Sequence, residues 1–232
     1  EMMGGDKTFD MVEAMGFDQM AGMGGGHIAD MMGAMDLGHF EAMGGEHVFD
    51  MAMGMNFENF EMMGGDKTFD MVEAMGFDQM AGMDGQHIAD MMGAMDFGHF
   101  ETMGADQTFG MAEAMGFDQM AGMGGGHIAD MMGAMDQSHF ETMGGSQMAD
   151  FMDAMNMENF QSMGADQTFA MVEVMGLDAV LDTGAEKVLD VASGMNMENF
   201  QSMGADQTFA MAETMGFDQM AGMGGGHIAD MM

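Results

Sequence analysis

Apolar residues fall along this chain with a helical rhythm. Ile28, Met31, Met32 and Met35, or Val48, Met51, Ala52 and Met55, occupy i, i+3, i+4 and i+7, the stripe of an amphipathic helix. The stripe stops at a residue that is always Gly, Asn or Asp: Gly16, Asp36, Asn56, Gly76, Asp96, Gly116, Asp136, Asn156, Gly176, Asn196 and Gly216. These residues tolerate a left-handed backbone, so a C-terminal cap is predicted there, with the apolar residue that follows (Phe17, Leu37, Phe57) folding back on the last turn. A shorter apolar spacing follows, through Met20 or Phe40, and predicts a second, shorter helix. Gly-Gly or Gly-Ala closes it, and an acid or Ser after the glycines (Asp6, Glu46, Asp66, Ser146) is expected to N-cap the next long helix.

The whole pattern recurs every 20 residues without insertion. Repeats open at Met3, Met23, Met43, Met63, Met83, Met103, Met123, Met143, Met163, Thr183, Met203 and Met223, giving eleven full repeats and half of a twelfth. Met15 to Asp36 recurs unchanged at Met115 to Asp136, which points to recent duplication. Because the register never slips, the repeats align with one another, and substitution at equivalent positions can be read inside this single chain. The predicted fold is all-α, an α-solenoid of 20-residue helical hairpins with one long and one short helix each. The alternative is a β-solenoid, for which a 20-residue period is natural. Its leucine-rich and glycine-aspartate signatures are absent, and β-branched residues are few. Residues 1–232 are expected to be one continuous array and a window of a longer one, since neither end carries a polar capping face.

Composition narrows the function. The 232 residues hold 40 acids against 3 basic side chains, for a formal charge of −37, with no Cys, Pro, Trp or Tyr. Without cysteine there is no disulfide framework, thiolate zinc site or thiol nucleophile. Such a charge repels phosphate backbones and anionic lipid, so neither nucleic acid nor membrane insertion is expected. Neighbouring repeats must also repel each other, and salt or divalent cations are expected to stabilise the array.

Methionine is the compositional oddity, with 47 residues against four leucines, Leu37, Leu177, Leu181 and Leu189. Rows of thioethers select soft metals, which makes a copper(I) binder the alternative function. Packing is the simpler account, because methionine fills irregular cores readily. Thr183, Phe151, Val191 and Val180 stand where other repeats carry Met, as packing allows and ligation does not. Only the thirteenth-position row, Met15 to Met215, is invariant. Histidines at the fifth position (His27, His47, His87, His127, His227) exchange with Lys7, Lys67, Lys187 and Gln107. Those at the seventeenth (His39, His99, His139) exchange with Gln19, Asn59 and Ala179. Both patterns describe a solvated polar position.

Acids at the eighth position, such as Asp10, Asp30, Asp50 and Asp130, lack the loop that gathers six to eight oxygens around calcium. Diffuse counterion binding is expected instead, and a mineral or divalent-cation template is a third possibility. The glycine pairs have no neighbouring cation to make a phosphate cradle. No catalytic, cofactor or metal residue is assigned, and no enzyme is expected. The leading expectation is a structural or interaction scaffold, part of an extracellular or cell-surface fibre, adhesin stalk or self-assembling filament, associating head to tail or laterally.

Overall fold

In the computed structural model, residues 4–221, 223 and 225–231 are described, and among them every regular element is a helix. The β-solenoid alternative is excluded. Each 20-residue repeat makes one long helix from its third position and one short helix from its fifteenth, as in Gly45–Ala52 followed by Phe57–Met63.

The long helices come in two lengths, and the fourteenth position decides which. Where it is Gly, as at Gly16, Gly76 and Gly176, φ is 93°, 88° and 82° and the helix before it runs eleven residues, for example Gly65–Met75. The glycine N–H closes the last turn on a carbonyl four residues back, Gly76 N to Val72 O at 2.8 Å. Where it is Asp or Asn, φ is close to −120° and the helix is eight to ten residues long, for example Gly125–Ala134. The expectation of a left-handed cap therefore holds for glycine only. Asp36, Asn56, Asp96, Asp136, Asn156 and Asn196 are instead extended N-caps of the short helix that follows. An extended residue cannot continue a helix, so the chain must leave the long helix earlier.

The expected N-cap of the long helix also shifts. The acid or Ser at the fourth position lies inside the first turn, where the helix dipole favours it, and the N-cap is the residue two places earlier, usually Gly. One residue there joins two helices: Gly44, at φ 88°, ends Leu37–Met43 and starts Gly45–Ala52. Asp84 replaces that glycine where φ is −71°, and its side chain accepts from His87 N at 3.1 Å.

The chain divides into two compact units, Glu1–Met120 and Ala121–Met232. In the first, the short helix Leu37–Met43 packs on the long helix Gly5–Met15 of the repeat before and on Gly65–Met75 two repeats on. In the second, Met157–Met163 packs in the same way on Gly125–Ala134 and on Ala185–Gly194. The eighteenth-position residue lies at the centre of this packing: Phe40, Phe60, Phe100, Phe140 and Phe160 are wholly buried. Burying such a ring is worth about 1.5–3 kcal/mol, and its geometric fit adds more. Sixth-position threonines tie adjacent helices together. Thr168 Oγ1 donates to Gly164 O at 2.8 Å and to Phe160 O at 3.2 Å. Met35, Met55, Met95, Met135, Met155 and Met195 of the invariant row are 1–3% exposed and belong to the core.

The third position is where backbones approach most closely. A Cβ on Gly65 would lie 2.9 Å from Ala94 O and 2.8 Å from His99 Cε1, and one on Gly125 would lie 2.5 Å from Ala154 O. The start of one long helix thus seats against the end of the next one, which accounts for the Gly-Gly pairs as packing points.

Candidate functional site

Chemistry-bearing side chains gather at the junctions between repeats. At the Asp-type junction, Asp36 Oδ1 accepts the backbone N–H of His39 at 3.2 Å, and His39 Nδ1 accepts the Asp36 N–H at 3.2 Å, a reciprocal capping box. The His39 ring then lies between two carboxylates, with Nδ1 2.7 Å from Asp36 Oδ1 and Nε2 3.1 Å from Oδ1 of Asp6 in the preceding repeat. The set recurs as Asp96, His99 and Asp66 with the same 3.1 Å contact. At the Asn type, Asn196 and Asn199 form the box, and Asn199 Nδ2 donates to Asp166 Oδ1 at 3.3 Å. Asp6 and Asp66 are 97% exposed, so these contacts contribute little energy and serve to hold register between repeats.

The sequence carries a signal for this arrangement that single-position reading misses. Asp at the fourteenth position always comes with His at the seventeenth, Asn with Asn, and Gly with Gln or Ala. The fourteenth position alone separates the positive-φ glycines from Asp and Asn, and its seventeenth-position partner marks the reciprocal cap. Among the eight histidines, His39, His99 and His139 are therefore capping residues. The backbone N–H of His39 holds the Asp36 carboxyl below its ordinary range, that of His87 does so for Asp84, and the Ser138 hydroxyl leads the same effect at Asp136. Burial pushes Asp190 the other way, against the pull of Lys187.

Fifth-position side chains reach the ends of long helices two repeats back. Lys187 Nζ donates to Met155 O at 2.5 Å and to Asp153 O at 3.4 Å, and Gln167 Nε2 donates to Gly133 O at 3.4 Å. Donors suit the exposed carbonyls and the negative pole of a helix C-terminus. Lys and Gln do this work where other repeats place His, which explains a substitution that metal ligation would not permit.

Among the described residues, no three His, Asp or Glu side chains come together as a metal-binding group. A cavity of about 520 Å³ lies at the Asp36 junction, lined by Asp6, Asp36, His39, Lys7 and Lys67 among others. A second, apolar cavity of about 560 Å³ is lined by Ala205, Thr208, Phe209, Ala212, Met220, Ala221, Ile228 and Met231.

Phe209 beside this cavity is 63% exposed, whereas Phe69 at the same position is 9% exposed and Phe9, Phe49, Phe109 and Phe169 are half-buried. In the first repeat Met11 is 43% exposed, although Met51, Met71, Met91, Met131 and Met211 at that position are wholly buried. No helix among the described residues is long and apolar enough to cross a membrane. No family model, curated protein or solved structure matches this chain.

Proposed function

We propose that this protein is a structural and interaction scaffold: an acidic, methionine-cored α-solenoid that associates with like molecules, head to tail or laterally, as part of a cell-surface fibre, stalk or filament. The repeated packing supports this reading: a short helix such as Met157–Met163 lies on the long helices of the repeat before and of the repeat two further on, so each repeat meets its neighbours through the same kind of apolar surface. Units of one length that pack in one way suit an array that is extended by adding more of the same. The acidic surface keeps the sides of the array apart and soluble.

Sedimentation velocity over a range of protein concentrations, at low salt and at 0.5 M salt, tests the proposal. Growth of the sedimentation coefficient with concentration, stronger at high salt where the charge of −37 is screened, is expected. A single concentration-independent species in both buffers contradicts it.

A further inference from the structure

We infer that the Asp-type junctions are proton-operated clamps between repeats: in mildly acidic solution His39 and His99 each take up a second proton, and the imidazolium ties its own cap to the acid of the repeat before it. The Asn-type junctions hold the same place without responding to pH. This concerns how successive repeats are held together and stands apart from whether chains associate.

Two carboxylates flank each ring. His39 Nδ1 lies 2.7 Å from Asp36 Oδ1 and its Nε2 lies 3.1 Å from Asp6 Oδ1. For His99 the distances are 2.8 Å to Asp96 and 3.1 Å to Asp66. A neutral imidazole has one N–H for two acceptors. When it accepts the Asp36 N–H at Nδ1, 3.2 Å away, it turns that lone pair towards Asp36 Oδ1 as well. Only the doubly protonated ring donates to both carboxylates, and it then releases the Asp36 N–H. Asp36 is ionised and able to accept, because the His39 backbone N–H holds its carboxyl below the ordinary range. The His39 and His99 side chains are 14% and 12% exposed, so a charge there needs partners, and each ring has two. Phe9 and Phe69, with ring centroids 5.3 and 5.4 Å from the imidazoles, offer a cation a further attraction.

Other charges face the same rings. Around His39, Lys7 of Gly5–Met15 and Lys67 of Gly65–Met75 line the cavity, Glu41 lies on the same short helix, and Glu46 stands in the first turn of Gly45–Ala52. Around His99, Gly65–Met75 carries Lys67 beside Asp66, the short helix carries Glu101, and the adjoining Ala105–Met115 carries Asp106 in its first turn. The lysines oppose proton uptake. The acids outnumber them, and two acids at each ring lie within hydrogen-bonding distance, where the attraction is largest.

The chain contains its own control. Asn196 and Asn199 build the same reciprocal cap, and Asn199 Nδ2 donates to Asp166 Oδ1 at 3.3 Å, yet an amide does not titrate. A proton that gains two partners on folding is held more tightly by the folded chain than by the unfolded one. The added stability is therefore fully present below the ordinary imidazole value of about 6.5 and is lost as pH rises above it.

The test compares the full chain with a variant whose three Asp–His pairs become Asn–Asn pairs: Asp36→Asn with His39→Asn, Asp96→Asn with His99→Asn, and Asp136→Asn with His139→Asn. Thermal melts run between about pH 8 and about pH 5.5, where histidines titrate and ordinary carboxylates stay ionised. The unaltered chain is expected to melt about 2–4 °C higher at the lower pH, and the variant to lose most of that rise while it keeps the fifth-position histidines. Nitrogen-15 NMR of the histidine-labelled, unaltered chain reads the rings with no substitution that could disturb folding. Both ring nitrogens of His39 and His99 are expected to stay protonated to a higher pH in the folded chain than in urea, and the Asp36 and Asp96 amides to exchange faster once the rings are charged. No rise in the unaltered chain, a rise of the same size in both proteins, or rings that lose their second proton at the same pH folded and unfolded, overturns the inference.

Discussion

Truncating one phenylalanine at two sites of different burial tests how the array is held together. Phe160 is wholly buried where the short helix Met157–Met163 lies between the long helices of the repeat before and the repeat two further on. The fit is tight, since a Cβ on Gly194 would lie 2.8 Å from the Phe160 Cβ and 2.9 Å from its carbonyl oxygen. That neighbour is backbone and cannot collapse into a void. Phe160→Ala should therefore lose both transfer energy and packing, about 3–5 kcal/mol. Against a total stability of about 5–15 kcal/mol for a domain, such a loss is large. Phe209→Ala removes the same atoms from a site that is 63% exposed, and should cost about 1 kcal/mol or less. Urea denaturation followed by far-ultraviolet circular dichroism measures both, with amide exchange on residues 157–163 locating the loss. Equal costs for the two variants would refute the reasoning, as would a Phe160→Ala cost below about 1 kcal/mol.

Three further outcomes follow from the junctions and the charge. Asn156→Ala removes the cap of Met157–Met163 and should destabilise by about 1 kcal/mol in urea melts, while Asn156→Asp should be tolerated, since Asp36 caps in the same way. Asp36, Asp84 and Asp136 have carboxyl pKa values lowered from 3.8 by the donors they accept. Their caps contribute fully above that value and are lost as pH falls through the lower folded values. A triple Asp→Asn variant should match the wild type at neutral pH and melt higher than it at the acid end, and a pH series of melting curves decides this. Adding salt at constant pH should raise the melting temperature by screening a charge of −37, and a curve unmoved between dilute buffer and 1 M salt would remove inter-repeat repulsion from the account.

Much of the fold was legible because a 20-residue period and an i, i+3, i+4, i+7 stripe constrain each other. The stripe through Val48, Met51, Ala52 and Met55 marks a helix and its buried face without any partner being known. What that face packs against is a different matter. The apolar spacing of the short helix states that Phe160 is inside, but it carries no record that this helix packs on helices one repeat back and two repeats on. The junctions were misread for a related reason. Gly16, Asp36 and Asn56 look alike at one position because all three disfavour a helix interior, yet glycine turns the chain at positive φ while Asp and Asn cap in extended backbone. The reciprocal cap itself is marked by pairs, Asp36 with His39 and Asn56 with Asn59. The capping histidines read alone resemble a solvated polar row.

The most direct test of the scaffold account is negative-stain electron microscopy of the purified protein at 0.5 M salt, where the charge of −37 is screened. The account predicts elongated assemblies whose length grows with protein concentration. Dispersed single particles at every concentration would contradict it.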